Sequence, residues 1–180
     1  GRNIFSDSDG NASKLFHQYI GGLQRYMPSA MAIVAPYVNS YRRIVRHTAA
    51  PINIQWGLDN RTVGFRVPES GVQDRRIENR IIGADANPYL ALAVTLACGY
   101  LGMIDALEPT AIVEGSAYKM PVELPQGLPE ALSLLRNEAR LREVLGDRFI
   151  DVYSAIKELE HQEFMTVISP WEREHLLLSV

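Results

Sequence analysis

Charged residues alternate in the segment Arg76-Ile77-Glu78-Asn79-Arg80-Ile81, as they would along one face of a β-strand. Because alternate residues of a strand point to the same side, Arg76, Glu78 and Arg80 are predicted to form a row of cation, anion and cation. This row has two interpretations. The carboxylate can pair with both neighbours in a structural ladder, or it can bind a divalent metal ion while the guanidinium groups hold anions on either side.

Arginine is concentrated around this row. Of 18 basic residues 15 are Arg, and eight of these lie between residues 39 and 80 beside four acidic residues, so this window carries +4 in a chain of net charge −3. A solvated or salt-bridged face would explain such a window. However, forked cations that match phosphates and carboxylates are also what ATP-dependent activation of a carboxylate needs, because the acyl phosphate must be neutralised as it forms.

Three short strands must position these side chains. Apolar and polar residues alternate over 52–56, 63–67 and 76–81, and turn-forming residues occupy 57–60 and 68–71. Connections this short favour antiparallel neighbours, so a small antiparallel sheet is predicted.

Two arginines near these strands raise a question of geometry. Arg61 and Arg66 are five residues apart, so a regular strand would place them on opposite faces. They reach one site only if a bulge intervenes or if Arg61 lies in the turn before the strand. Arg43 follows Pro36 in a polar segment that we interpret as irregular.

The rest of the chain has helical patterns. A helix is predicted from Ser13 to about Ala35, broken by Pro28 and Pro36. Asn87-Pro88 begins a long apolar helix with Asn as N-cap. Further helices are predicted at 128–145 and 147–167 and after the capping box that starts at Ser169. The predicted class is α+β, with a small sheet covered by helices and a helical C-terminal third.

Composition limits the possible functions. The 180 residues are 47% hydrophobic and 22% charged, as in a globular domain or a large piece of one. The single cysteine, Cys98, excludes intrachain disulfides and cysteine-rich zinc sites. The longest uncharged stretch, 86–104, contains Pro and Gly, and we interpret it as a buried core helix rather than a membrane span. A soluble, cytoplasmic protein without a membrane partner is expected.

Several short motifs occur in an order and spacing that resemble the C-terminal half of the glutamine synthetase catalytic domain. The resemblance covers roughly Phe5 to the end and implies part of a split β-barrel. Its motifs are Asn39-Ser40-Tyr41-Arg42-Arg43, Ala50-Pro51, Trp56-Gly57, Asp59-Asn60-Arg61, Arg66-Val67-Pro68, Arg76-Ile77-Glu78-Asn79-Arg80 and Ala84-Asp85-Ala86-Asn87-Pro88-Tyr89-Leu90.

The resemblance implies roles in binding glutamate and transferring phosphate. Arg43 and Arg80 would bind the glutamate substrate. Arg61 would be catalytic, beside both the transferring phosphoryl group and the substrate. The arginines, together with the divalent metals, would neutralise γ-glutamyl phosphate as it forms, before an amine or ammonia attacks it.

The resemblance also implies a nucleotide and a metal. ATP would be held through its phosphates by Arg61, Arg66 and Arg76. Glu78 would be a ligand of Mg²⁺ or Mn²⁺, which prefer hard oxygen donors. Three other arginines of the window are interpreted as solvated or structural: Arg42, Arg46 and Arg75.

Two positions depart from the family pattern. Ammonia-using members have an acidic residue immediately before the Ala-Pro that corresponds to Ala50-Pro51, whereas this chain has Ala49. Alanine can neither attract a cation nor accept a proton. A bulkier amine is therefore the expected acceptor, as in the γ-glutamylpolyamine (γ-glutamylputrescine) synthetase branch, which the Gly-Ala-Asp-Ala-Asn-Pro motif also resembles. A nucleotide-binding Lys of the family is replaced by Gln73.

The resemblance further implies that residues 1–180 are the C-terminal portion of a larger catalytic domain. The N-terminal β-grasp domain, the first catalytic strands with other metal-binding glutamates, and a metal-ligating His are expected to be absent. His17 is interpreted as structural. Family members form ring-shaped homo-oligomers with sites between subunits, and the isolated chain is expected to be inactive because Glu78 alone cannot hold the divalent ions.

The residues disfavour two other classes of function. A non-catalytic structural or assembly relative would have no reason to keep Glu78 among Arg43, Arg61 and Arg80, because unpaired buried charges are costly. Nucleic-acid binding through the arginines is disfavoured by the acidic net charge and by the lack of a basic helix or aromatic stacking motif.

Overall fold

The computed structural model describes residues 1–46 and 48–178. Within these ranges the chain forms α-helices, three short strands and several turns of 3₁₀ helix. The elements are α1 (Lys14–Val34), a 3₁₀ helix (Val38–Arg43), β1 (Trp56–Leu58), β2 (Phe65–Val67), a 3₁₀ helix (Val72–Asp74), β3 (Glu78–Asn79), α2 (Pro88–Ile104), a 3₁₀ helix (Ala117–Lys119), α3 (Leu128–Asn137), α4 (Ala139–Leu145), α5 (Asp147–Met165) and α6 (Pro170–Leu176). The α+β class is confirmed.

The core is built on α1 and α2, which pack closely together. A Cβ atom on Gly22 would lie 2.2 Å from the carbonyl oxygen of Cys98 and 2.6 Å from the Cα atom of Gly102, so only glycine allows the two helices to approach this far. Cys98 is a free thiol with no exposed surface. This contact fixes the helix pair against which the sheet lies.

The small three-stranded sheet is confirmed, but the predicted antiparallel pairing holds for only one of its two strand pairs. β2 and β3 pair antiparallel, but β1 and β2 pair parallel, with Trp56 opposite Phe65. The reason lies between the strands. Asp59 adopts a left-handed backbone conformation with φ of 42°, and the Asn53 side chain binds the Thr62 carbonyl and the Gly64 amide. The chain is thereby led back beside β1 and enters β2 in the same direction.

Two predictions about the first helical region are also wrong. Pro28 lies inside α1 and does not break it. A proline costs a helix one backbone hydrogen bond, and burial of most of α1 outweighs that loss. The segment that carries Arg43 is a 3₁₀ helix rather than irregular chain, and the Ser40 hydroxyl caps it by accepting from the Tyr37 amide.

The capping predictions are confirmed. The Asn87 side chain accepts from the amides of Tyr89 and Leu90 at the start of α2. Ser169 and Glu172 form the predicted capping box of α6. The region predicted as a helix over 128–145 is divided into α3 and α4 at Glu138, whose side chain caps α4.

The sequence predicted α2 to be a buried core helix, and the structure buries one of its faces. One face packs on α1, and the opposite face leaves large apolar side chains exposed. These are Tyr89, Leu92, Leu96, Tyr100 and Ile104. Among the described residues, no helix combines the length and apolarity that crossing a bilayer requires.

Candidate active site

Glu78 lies at the centre of the charged cluster. The register of β2 and β3 places Arg66 opposite Glu78, and Arg66 Nη1 lies 2.6 Å from Glu78 Oε2. Arg80 Nη1 lies 3.2 Å from Glu78 Oε1. Of the predicted row, Glu78 and Arg80 therefore pair, but Arg76 does not join them. Arg76 instead donates to the Asp74 carbonyl at 3.1 Å.

The cluster continues at both ends. Arg66 Nη2 binds Asp59 Oδ1 at 2.7 Å, and Arg80 Nη2 donates to the Ala49 carbonyl at 3.1 Å. A continuous chain of polar contacts thus runs from Asp59 through Arg66, Glu78 and Arg80 to the backbone at Ala49. A change at any member alters the partners available to the next.

The electrostatics keep the cluster charged. Partial burial would raise the pKa of Glu78, but the hydrogen bond and charge of Arg66 and the charge of Arg80 outweigh it, and the pKa of this carboxyl lies below its ordinary value. Hydrogen bonds from Arg66 to Glu78 and Asp59 raise the pKa of the Arg66 guanidinium. Glu78 is therefore an anion at neutral pH.

A cavity of about 500 Å³ opens beside Glu78 and Arg80. Charged side chains from two elements meet there: Arg43 from the 3₁₀ helix, and Glu78 and Arg80 from β3 and the residue after it. Ala49, which departs from the family pattern, also faces this space. The lining residues are Arg43, Thr48, Ala49, Ala50, Glu78, Asn79, Arg80 and Ile82.

Arg43 is held at the cavity by the segment that follows β3. Its Nη2 atom donates to the Ile81 carbonyl, and Ser40, in the same 3₁₀ helix, donates to Asp85 at 2.6 Å. Burial lowers the pKa of Arg43, and the nearby Asp85 carboxylate acts in the opposite direction. The guanidinium is thus partly desolvated, which strengthens its attraction for an anion.

Three guanidinium groups keep a donor unused. Within the part of the chain that the structure describes, the buried Nε atoms of Arg43, Arg66 and Arg80 have no hydrogen-bond partner. A buried donor without an acceptor costs about 1–3 kcal/mol. Carboxylate or phosphate oxygens are the acceptors that fit a guanidinium fork best, so the site is suited to anionic ligands.

Arg61 and Arg76 lie outside the cavity. Arg61 is in the turn before β2, which is one of the two placements that the sequence allowed, and its exposed side chain borders a separate depression formed with residues 112–115. Arg76 is also exposed and lies beside Ile77 and Tyr100. Their roles in nucleotide binding and catalysis stay predictions.

Arg75 and Arg46, which were interpreted as solvated or structural, both bind backbone carbonyl groups. Arg75 donates to Ser6 and to the carbonyls of Phe5, Gly10 and Asn11, which anchors the N-terminal loop.

Arg46 donates to the carbonyls of Tyr118 and Met120, while Arg42 is exposed on the 3₁₀ helix. Gln73 lies in the 3₁₀ helix Val72–Asp74 and its carbonyl accepts from Asn3. His17 lies on α1 and packs edge-on against Trp56, as its structural interpretation expected.

Sequence reasoning missed the groups that hold the arginines. Asp59 pairs with Arg66, and Ser40 and Asp85 anchor the helix that carries Arg43. A signal for Asp59 was available: it is one of only four acidic residues among eight arginines of the window. Such a carboxylate is expected to pair with a neighbouring cation.

The described residues do not form a complete metal site. No group of three or more His, Cys, Asp or Glu residues that could hold a metal ion occurs at 1–46 or 48–178. Mg²⁺ requires six oxygen ligands in near-octahedral geometry. Both carboxylate oxygens of Glu78 are bonded to arginines, Oε2 to Arg66 and Oε1 to Arg80, and its role as a metal ligand stays a prediction.

Comparison with known proteins decides the family. A family model described as the catalytic domain of glutamine synthetase matches residues 1–176. The chain belongs to the glutamine synthetase family. This confirms the resemblance that the motifs between Asn39 and Leu90 carry.

Relatives in this family act on different acceptors, as their names state. The chain is 38% identical to γ-glutamylputrescine synthetase PuuA of Escherichia coli K12 over 98% of its length and 38% of the relative's. It is 33% identical to a glutamate–isopropylamine ligase of a Pseudomonas species, over 96% of this chain and 39% of that one. It is 34% identical to the glutamine synthetase of Clostridium saccharobutylicum, over 98% of this chain and 42% of that one.

Solved structures of the family share the fold. The ligand-free structure of GmaS superposes with a TM-score of 0.86 at 31% identity, covering 98% of this chain and 42% of GmaS. A GmaS complex with ADP gives the same TM-score at 30% identity, covering 98% of this chain and 43% of GmaS. The chain thus spans about two fifths of the length of these relatives.

Proposed function

We propose that this chain is part of an ATP-dependent ligase that joins glutamate to an amine through γ-glutamyl phosphate. The observation that carries the proposal is the cavity in which Arg43, Glu78 and Arg80 meet. Two guanidinium groups, those of Arg43 and Arg80, line it, and guanidinium groups bind anions such as glutamate and a triphosphate. The family membership and a GmaS structure that holds ADP support the same reaction class.

Each residue has a role in the proposed reaction. Arg43 and Arg80 bind the carboxylates of glutamate. Arg61, Arg66 and Arg76 contact the phosphates of ATP, and Arg61 also neutralises the group in transfer. Glu78 supplies one oxygen ligand to Mg²⁺ or Mn²⁺, which offsets phosphate charge when bound.

The bonds made and broken follow from these roles. A γ-carboxylate oxygen of glutamate attacks the terminal phosphorus of ATP, and the bond to ADP breaks. The amine nitrogen then attacks the acyl carbon, inorganic phosphate leaves, and the nitrogen loses a proton. Charge accumulates on oxygen in both steps, and oriented cations in a partly desolvated site stabilise such charge.

We further propose that the acceptor is an amine larger than ammonia. Ala49 presents a methyl group to the cavity, and its carbonyl is occupied by Arg80. Position 49 therefore supplies no carboxylate that would attract ammonium or take its proton, and the Glu78 carboxylate of the same cavity is paired with Arg66 and Arg80. The names of the putrescine and isopropylamine relatives support this class of acceptor.

The acceptor is tested by replacing Ala49 with Glu in the full-length protein. The wild type is expected to prefer putrescine over ammonia in amine-dependent phosphate release. The Ala49→Glu variant is expected to raise kcat/KM for ammonia by about 10²-fold, because a placed proton acceptor contributes about 10²–10⁴-fold. Ala49→Gln is the control that adds bulk without a base. Wild-type activity with ammonia equal to or above that with polyamines contradicts the proposal.

The isolated 180-residue chain is expected to be inactive. Glu78 is its candidate metal carboxylate and cannot hold the divalent ions that phosphate transfer needs. Incubation of this polypeptide with glutamate, ATP, Mg²⁺ and putrescine should release no phosphate above a protein-free control. The same mixture with the full-length protein serves as the positive control, and turnover by the isolated chain would contradict the proposal.

Assembly and location belong to the same proposal. We propose a homo-oligomeric, cytoplasmic enzyme without nucleic-acid or membrane partners. The free, buried Cys98 is compatible with a reducing compartment. A non-catalytic structural relative is disfavoured because such a protein would gain nothing from placing the partly desolvated Arg43 and the guanidinium of Arg80 at an open cavity.

A further inference from the structure

The residue before Arg61 has every hydrogen-bonding position of its side chain occupied. Asn60 Nδ2 donates to the carbonyl oxygens of Val113 and Gly115, at 3.2 and 2.7 Å. Asn60 Oδ1 accepts from the backbone amide and the hydroxyl of Thr62, at 2.9 and 2.7 Å. The bonds to Thr62 are local, but those to 113 and 115 cross more than 50 residues of sequence.

The residue after Arg61 is fixed to the same segment. Thr62 Oγ1 accepts from the Ala117 amide at 2.8 Å. The Thr62 carbonyl accepts from Asn53 Nδ2 at 3.3 Å. Arg61 is therefore flanked on both sides by residues that are tied to the segment 113–117.

That segment is itself attached to the sheet. The Val113 amide donates to the carbonyl of Trp56 in β1 at 3.0 Å. The indole nitrogen of Trp56 donates to the Thr110 carbonyl at 2.7 Å. The segment that holds the residues on both sides of Arg61 is thus hydrogen-bonded to β1.

Arg61 differs from its neighbours. Its side chain is exposed and borders the depression that Asn60 and residues 112–115 help to form. A long side chain on a mobile turn would lose conformational entropy whenever it was placed against a reacting group. With the backbone held on both sides, only the side-chain rotamers remain to be ordered.

We propose that Asn60 is a positioning residue that acts through Arg61. It fixes the backbone of the turn in the position from which the Arg61 guanidinium reaches the reacting phosphate. This inference rests on the catalytic role proposed for Arg61. The ordinary role of Asn in a turn needs only the local bonds to Thr62. The two bonds to the 113–115 carbonyls are the additional feature, and they set where the turn lies relative to the sheet.

The test uses Asn60→Asp in the full-length protein. The carboxylate can still accept from Thr62, but it brings an oxygen against the carbonyls of Val113 and Gly115. We expect kcat for glutamate-dependent phosphate release to fall by about 10- to 100-fold, since a misplacement of about 1 Å costs up to about 10² in rate. The KM for glutamate is expected to change less than kcat, because Arg43 and Arg80, which bind its carboxylates in the proposed reaction, lie in a separate cavity.

A double-mutant cycle separates positioning from stability. In an Arg61→Ala background, Asn60→Asp should cause no further loss of kcat, whereas its effect on the melting temperature should be the same in both backgrounds. Asn137→Ala removes a side-chain amide that binds only within α3, and it should leave kcat unchanged. An equal loss of kcat from Asn60→Asp in both backgrounds overturns the inference.

Substitution of Thr62 is a second test, and it perturbs the turn less than Asn60→Asp does. Thr62→Val keeps the shape but removes the hydroxyl that binds Asn60 and Ala117, and it is expected to lower kcat in the same direction. Thr62→Ser keeps the hydroxyl and should restore kcat. If Asn60→Asp fails to fold, equal kcat values for the Val and Ser variants overturn the inference. If Arg61→Ala itself leaves kcat unchanged, the proposed role of Arg61 is wrong instead.

Discussion

Glu78→Gln in the full-length protein is expected to lower kcat for glutamate-dependent phosphate release by about 10²–10³-fold. Glutamine keeps the size of the side chain but removes the negative charge that would bind a divalent ion. It also replaces one of the two acceptor oxygens by an NH₂ group, so the side chain can no longer accept from both Arg66 and Arg80. Loss of one preorganised electrostatic group from an active site has costs of this size.

The measurement is phosphate release as a function of Mg²⁺ concentration. The variant should require more Mg²⁺ for half-maximal rate, because one ligand oxygen is weaker. Glu69→Gln is the matched control, since Glu69 is exposed on the loop after β2 and its side chain lines a different depression. A folded Glu78→Gln variant with wild-type rate and Mg²⁺ dependence would show that the charged cluster is only structural.

Arg80→Ala is expected to lower kcat/KM for glutamate by about 10²–10³-fold. Its guanidinium group binds Glu78 through Nη1 and the Ala49 carbonyl through Nη2, and the residue lines the cavity proposed to hold glutamate. Truncation therefore removes a substrate contact and leaves Glu78 with Arg66 alone. Charge-assisted contacts in a partly desolvated site are among the strongest in proteins.

The conservative variant sharpens this experiment. Arg80→Lys should not restore kcat/KM, because a single ammonium cannot match the fork that bridges a carboxylate and a carbonyl. Arg25→Ala is a suitable control, since Arg25 is an exposed arginine that pairs with Glu138 on the helical side of the molecule, outside the cavity. Restoration by Lys would mean that charge alone is needed, and the proposed geometry would be wrong.

Much of the fold could be predicted because its signals are local. Asn87 and Ser169 cap helices through residues two and three positions away, so the sequence pattern contains the whole interaction. The parallel pairing of β1 and β2 could not be predicted in this way. It depends on the turn at Asp59 and on bonds from Asn53 to the returning chain, which no strand or turn pattern encodes.

The same contrast holds at the site. The family motifs identified Arg43, Glu78 and Arg80, which the structure brings to one cavity. The local period of β3 then suggested Arg76 as a partner of Glu78. The actual partner is Arg66, because the antiparallel register of β2 and β3 sets the two residues opposite each other. Cross-strand register is a non-local property, and residue spacing within one strand does not contain it.

The tight seam between α1 and α2 also makes Cys98 a reporter. The thiol has no exposed surface, and burial raises its pKa, so the native chain holds almost no reactive thiolate. An alkylating reagent can modify it only after the two helices separate. The rate of labelling therefore measures how often the centre of the molecule opens, with no engineered probe.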